Sequence, residues 1–267
     1  MRRKLLLIFA AAVLAVFGCI AINLSAIYER VKMDRSFPAL SRYVFEPTPG
    51  IVLVGSSMTF RLYEGYFETP VRNLAIGGGS ALTGLAIVAS FKKLPRTILV
   101  ESTILSRPVD QALVSAFNST GPLPWFRAVV SKVYYWIKYR SEDVPALLNL
   151  TPEETDISEP VSAAERDYNS NNHDAEMKAN IETMKNLIRE LERRGCRIML
   201  FEMPFPPPLA QSHYAVMARN LTRAAFMDQK WINPIPQQKL GWLDAAHLNE
   251  RSAALVAQEI NKAIRAP

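Results

Sequence analysis

Two cysteines and three histidines are all that this chain of 267 residues carries. Cys19 lies within a long apolar run and Cys196 opens an expected strand, so the two are not positioned to pair, and a disulfide framework is excluded. No zinc-finger spacing is present, and no metal or other cofactor is expected. Glycine is also scarce, with 11 residues, and its one dense cluster, Gly77-Gly78-Gly79, lacks the Gly-x-Gly-x-x-Gly order and following acid of a dinucleotide site. An excess of one charge is missing too. The formal net charge is +6, but Arg2, Arg3 and Lys4 supply half of it, leaving 28 basic against 25 acidic residues. With that balance and no basic helix of the DNA-binding kind, nucleic-acid binding is not expected.

What is present starts with Ile51-Val52-Leu53-Val54-Gly55-Ser56-Ser57-Met58-Thr59-Phe60. Four apolar β-formers run into a glycine and two small hydroxyl residues, the pattern of a buried strand ending in a tight turn. A serine there stands at the carboxyl edge of a sheet, where a nucleophile can be presented. A plain strand-end turn with a serine helix cap is the alternative. Near the other end stands Trp242-Leu243-Asp244-Ala245-Ala246-His247-Leu248-Asn249. A bend or first helical turn would set the Asp244 carboxylate against one imidazole nitrogen of His247 and leave the other free to take a serine proton. Asp-x-x-His alone often marks a helix cap. Together the two stretches form a candidate triad of Ser57, His247 and Asp244.

These residues resemble the SGNH (GDSL-like) hydrolase superfamily, whose first block is a strand ending Gly-Asp-Ser and whose last is Asp-x-x-His. The first block stands here as Gly55-Ser56-Ser57, with Ser56 in the place of Asp, and the last as Asp244-Ala245-Ala246-His247. Asn73-Leu74-Ala75-Ile76-Gly77-Gly78-Gly79 is similar to the second block. The Asn of the third block is absent, since Ile98-Leu99-Val100-Glu101 leads into Ser102-Thr103-Ile104-Leu105. The resemblance spans residues 48 to 264 by order of elements. It implies acyl transfer through a serine ester, with Ser57 as nucleophile, His247 as base and Asp244 as its orienting partner. It also implies an oxyanion hole of the Ser57 and Gly78 N–H groups, with Thr103 or Ser102 as third donor.

The expected fold class is α/β: a three-layer, SGNH-like (flavodoxin-like) parallel sheet with helices on both faces, preceded by one transmembrane helix. Strands are expected at 51–54, 71–76, 97–101 and 197–203, alternating with helices at 80–92, 174–194 and 212–227. The last helix follows the Asp-x-x-His block over Ala253 to Ile264. The expected organisation is a tip and anchor over 1–28, a stalk over 29–49, and an α/β domain over 50–267 with an irregular insertion over 107–172.

From Leu5 to Tyr28 the chain is apolar except at Asn23 and Ser25, enough as a helix for about 36 Å against a hydrocarbon core of about 30 Å. The basic cluster before it places the N-terminus in the cytoplasm and the rest outside, as a single-pass protein of the cell inner membrane with a periplasmic domain. A cleaved signal peptide is the rival, but the run is longer than a signal's apolar region and no small-x-small site ends it. Val16-Phe17-Gly18-Cys19 weakly suggests lipoprotein cleavage. Trp125 to Arg140 mixes aromatic and basic residues, as a helix on a membrane surface, a wall of a carbohydrate groove or a solvated cap helix would. Ser141 to Asn172 is polar and proline-broken and reads as a mobile loop or lid. His173 is expected on the surface, and His213 is expected to be structural or on the surface.

Membrane-tethered proteins of the resembled superfamily serve alginate and peptidoglycan O-acetylation beside a multispanning acyl-donor protein. The layout therefore implies a serine esterase or O-acyltransferase acting on cell-surface polysaccharide, with hydrolysis and transfer both open. The other class is a degenerate module of the same fold that binds glycan or a membrane partner without turnover.

Overall fold

The continuous apolar runs Ile51–Val54 (β1), Thr97–Glu101 (β3) and Arg197–Phe201 (β4) form the three central strands, and only Arg197 among their residues is exposed. Runs of this kind, without polar alternation, suit strands covered on both faces. Two-residue strands, Arg72–Asn73 (β2) and Lys230–Trp231 (β5), close the edges. The computed structural model describes residues 5–18, 40, 42–44, 46, 50–118, 143–151, 155–232 and 240–265. Within them the five strands pair in the order β2-β1-β3-β4-β5, all parallel. The order reverses after β1, and in open α/β sheets ligands bind outside the carboxyl ends of the strands at such a switch point.

Helices flank this sheet. Ser57–Phe60 (α2) follows β1 directly, and Ala81–Ser90 (α3), Asp174–Arg193 (α7) and His213–Ala225 (α8) pack side by side in chain order. The expected stripe of Met177, Ile181, Met184, Ile188 and Leu191 on α7 is buried. Glu250–Arg265 (α9) packs against the short turn of 3-10 helix at Glu64–Tyr66 and against Val144–Leu148 (α5). Residues 5–18 form α1, about 21 Å long, whose Leu5 to Phe9 side chains are exposed. Among the described residues no helix is long and apolar enough to cross a membrane, and residues 19–28 of the expected span lie outside them.

Several expectations change. Much of the stretch read as a mobile loop is helical: α5 and Ser158–Tyr168 (α6) lie in it, because Val161 is buried and Leu147, Leu148, Ala164 and Tyr168 pack on the core. Gln111–Asn118 (α4) occupies the start of the expected insertion and buries Leu113 and Phe117. Leu40 and Tyr43, from the expected stalk, are core residues, and an ion-pair network of Arg42, Glu46, Glu64 and Arg72 lies beside them. Ser80 occupies the N-cap position of α3 in an extended conformation but makes no capping hydrogen bond. Trp125 to Arg140 and residues 233–239 lie outside the described residues.

Helix α3 meets β1 at a glycine. A Cβ on Gly84 would stand 2.8 Å from Val54 Cβ and 2.9 Å from its Cγ1. Gly84→Ala is expected to push helix and strand apart at a cost of about 1–3 kcal/mol, seen as a fall in thermal midpoint. An unchanged midpoint would show that this separation is not enforced.

Candidate active site

The turn after β1 is shaped by a carboxylate beneath it. Glu101, the last residue of β3, is buried, and its Oε2 accepts the Ser56 N–H at 2.7 Å and the Thr59 hydroxyl at 2.6 Å. The Ser56 hydroxyl lies 2.9 Å from its Oε1, and the Ile104 N–H also donates to the carboxylate. Gly55 must be glycine, since a Cβ there would lie 2.5 Å from both Glu101 Oε2 and Thr59 Oγ1. Ser56, with φ −89° and ψ −168°, accepts the Met58 N–H at 3.1 Å and so starts α2. Ser57 is thus the first helical residue, and its N–H has no acceptor within the helix.

Asp244 and His247 lie on a tight loop that is a bend, not a helical turn. An antiparallel bridge between Trp242 and Leu248 closes it, with Leu243 N–H donating to the His247 carbonyl at 2.8 Å. Gly241 N–H donates to Ser252 Oγ at 2.7 Å, which joins the loop to α9. Inside the bend Asp244 Oδ1 accepts the N–H groups of Ala246 and His247, both at 2.8 Å, as aspartates do in turns. The spacing of three residues therefore turns the second oxygen, Oδ2, toward the ring.

The two stretches meet at the carboxyl edge of the sheet. His247 Nδ1 lies 2.7 Å from Asp244 Oδ2, and its Nε2 lies 2.9 Å from Ser57 Oγ. An ionised carboxylate only accepts, so Nδ1 carries the proton and Nε2 is left to accept from Ser57. Burial alone would raise the Asp244 carboxyl. The hydrogen bonds from the His247 ring and from the Ala246 and His247 N–H groups outweigh it and hold the group below its ordinary range. Asp244 is therefore charged at neutral pH. Its contribution to stability is present above the ordinary carboxylate value of about 3.9 and is lost as pH falls through its lower folded value. Asp244→Asn is expected to lower turnover by roughly 10²–10⁴-fold with the fold retained, through loss of the ring's orientation. Its stability deficit against wild type should shrink under acid in pH-dependent unfolding.

The other predicted residues divide. The Ile76 N–H donates to the Gly55 carbonyl at 3.0 Å, which sets the Gly77-Gly78-Gly79 loop beside the Ser57 turn, and Gly78 adopts φ +74° there. Asn73 is structural: its amide donates to the carbonyls of Thr59 and Leu62 at the end of α2. Thr103 is not brought to an oxyanion hole by its hydroxyl, which accepts the Met203 N–H at 2.7 Å and donates to the Met203 carbonyl at 3.1 Å. The Ser102 hydroxyl is spent on the Phe201 carbonyl at 3.1 Å. Both tie the residues that follow β3 to the end of β4 and the residues after it, where buried polar groups need partners.

The reading of the sequence passed over Glu101, though a carboxylate ending an apolar strand beside a serine turn was a usable signal. It also missed Arg107, whose Nη1 reaches the Gly79 carbonyl at 3.4 Å, and Tyr168. Burial, and then the neighbouring Tyr214, push the Tyr168 hydroxyl up to about 12, while the charges of Arg107 and Asp244 also act on it. The loop after β3 is held by Tyr214, whose hydroxyl accepts the N–H groups of Leu105 and Ser106, and by Asn180, which donates to the Leu105 carbonyl. His213 is exposed and bound to Asp174, and His173 to Asp167. Among the described residues no group of three or more His, Cys, Asp or Glu is placed to hold a metal ion.

No protein-family model and no curated protein matches the chain.

Proposed function

We propose that the chain is a serine esterase or O-acyltransferase of the SGNH type, anchored in the inner membrane through residues 5–28, with its α/β domain on the periplasmic side. Its substrates are acyl esters, acetyl esters foremost, and its acceptors are hydroxyl groups of cell-surface polysaccharide, with a multispanning acyl-donor protein as partner. The observation that carries the proposal is the unbroken line from Asp244 Oδ2 through the His247 ring to Ser57 Oγ, with separations of 2.7 and 2.9 Å. The exposed apolar side chains of α1 support the anchor.

In the proposed reaction Ser57 Oγ attacks the ester carbonyl while His247 Nε2 takes its proton, and Asp244 stabilises the imidazolium. The oxyanion is held by the N–H groups of Ser57 and Gly78. Collapse expels the alcohol, which leaves with the proton from His247. Water or a sugar hydroxyl then attacks the acyl-serine by the same steps, which gives hydrolysis or transfer.

A second reading is favoured by one observation: the Thr103 hydroxyl is bonded to Met203 and the Ser102 hydroxyl to the Phe201 carbonyl, which leaves neither hydroxyl free to serve as a third oxyanion donor. Loss of one such donor can cost about 3 kcal/mol of transition-state stabilisation. A module that binds glycan without turnover follows if two donors are too few. The test is full-length protein and Ser57→Ala with nitrophenyl acetate, with and without oligosaccharide acceptors, reading both nitrophenol and acetylated glycan. Serine-dependent release is expected, with acetylated glycan marking transfer. A folded protein that binds glycan but releases no nitrophenol would support the binding module instead.

A further inference from the structure

Glu101 is a buried carboxylate that the acyl-transfer steps do not use. It is wholly enclosed, and among the described residues no lysine or arginine pairs with it. Its partners are neutral dipoles: the Ser56 N–H at 2.7 Å, the Ser56 hydroxyl at 2.9 Å, the Thr59 hydroxyl at 2.6 Å and the Ile104 N–H. A buried carboxylate without a cation is costly, and one placed under a four-residue helix has little packing to justify it. Its donors share one property. Three come from the residue before Ser57 and from the second residue after it, and the fourth comes from the loop that follows β3.

We propose that Glu101 is the positioning residue of this site, fixing Ser56 and Thr59 on either side of Ser57 so that its hydroxyl is presented to His247 Nε2. This rests on Ser57 being the nucleophile. Ser56 is held at both N–H and Oγ, and the same Oγ fixes the Met58 N–H at 3.1 Å, so the backbone flanking Ser57 has no freedom to turn it away from the imidazole. Both carboxyl oxygens are engaged, Oε2 by the Ser56 N–H and the Thr59 hydroxyl and Oε1 by the Ser56 hydroxyl. Glutamine keeps one oxygen for the Ser56 N–H and the Thr59 hydroxyl but sets an NH₂ against the Ser56 hydroxyl, which then has to accept from it as well as from the Met58 N–H. Burial pushes the Glu101 carboxyl up despite its four donors. The stability it contributes is thus full below the ordinary carboxylate value and declines as pH rises through its raised folded value.

The full-length chain is compared with Glu101→Gln, Glu101→Ala and Thr59→Val by the rate of serine labelling with a fluorophosphonate, by kcat and KM on nitrophenyl acetate, and by thermal midpoint. Glu101→Gln and Glu101→Ala are expected to lower kcat and the labelling rate together by about 10- to 100-fold while KM stays within about twofold, because binding groups are untouched and only the nucleophile is misplaced. Thr59→Val, which keeps the shape and removes one donor, should slow labelling by a smaller factor. A double variant, Ser56→Asp with Glu101→Ser, returns a carboxylate to the same space and should label faster than Ser56→Asp alone, which sets two carboxylates against each other. Folded Glu101→Gln or Thr59→Val that labels at the wild-type rate would overturn the role and leave the esterase proposal standing. Should the Glu101 variants not fold, Thr59→Val decides. If folded wild-type protein does not label at all, both the role and the esterase proposal fall.

Discussion

Ser57→Ala and His247→Ala are each expected to reduce turnover of a nitrophenyl ester by roughly six powers of ten in a protein that still folds, and the double variant to be no worse than either alone. The reason is geometric. Ser57 Oγ and His247 Nε2 are 2.9 Å apart, so the hydroxyl proton has one acceptor poised to take it, and neither group works without the other. Both side chains are part-exposed and sit in a turn and a bend that main-chain bonds already define, so their removal should leave the thermal midpoint nearly unchanged. Steady-state kinetics with burst analysis measures the effect. Losses that simply add in the double variant would mean that the two residues do not act as a unit.

Gly55→Ala should have the largest effect on stability, about 3 kcal/mol or more. The new Cβ would fall 2.5 Å from Glu101 Oε2, 2.5 Å from Thr59 Oγ1 and 2.6 Å from Thr59 Cβ. None of these is the loose end of a flexible side chain: all are buried and bound to one another. The clash is relieved only by moving β1, α2 or β3. Gly78→Ala is the contrast, because a Cβ there meets nothing within 4 Å and only its φ of +74° opposes a side chain. That strain is worth about 1–2 kcal/mol. Denaturant unfolding of the two variants should rank them in that order, and equal losses would show that the packing under Gly55 is looser than described.

The sheet was legible in the sequence where strands are buried on both faces. Thr97–Glu101 appears with the expected limits, and Ile51–Val54 and Arg197–Phe201 begin where expected, because continuous β-branched and apolar runs leave few other folds. The edge strands were not. Lys230–Trp231 is two half-buried residues paired on one side, too short to leave a periodic trace, and Arg72–Asn73 is much shorter than the 71–76 expected. Helices α5 and α6 were hidden by polar composition, since α6 fully buries one residue, Val161, and only Ala164 and Tyr168 of the rest pack on the core.

The site followed the same division. Ser57, Asp244 and His247 were legible because each sits in a local pattern whose geometry is fixed within a few residues, and the sheet then brings the patterns together. The third block was not, because whether Thr103 faces a substrate or the neighbouring strand depends on β4, a pairing 100 residues away. Glu101 was overlooked for a related reason. As a letter it ends a strand, and its four donors are apparent only when β1 and β3 lie side by side.

The most direct measurement is peptide mass spectrometry of the full-length chain after exposure to a fluorophosphonate. A single adduct on the peptide carrying Ser57, formed rapidly in the wild-type protein and scarcely at all in His247→Ala, is the predicted result. A folded wild-type protein that carries no adduct, or carries it on another serine, would contradict the assignment of Ser57 as a nucleophile activated by His247 and Asp244.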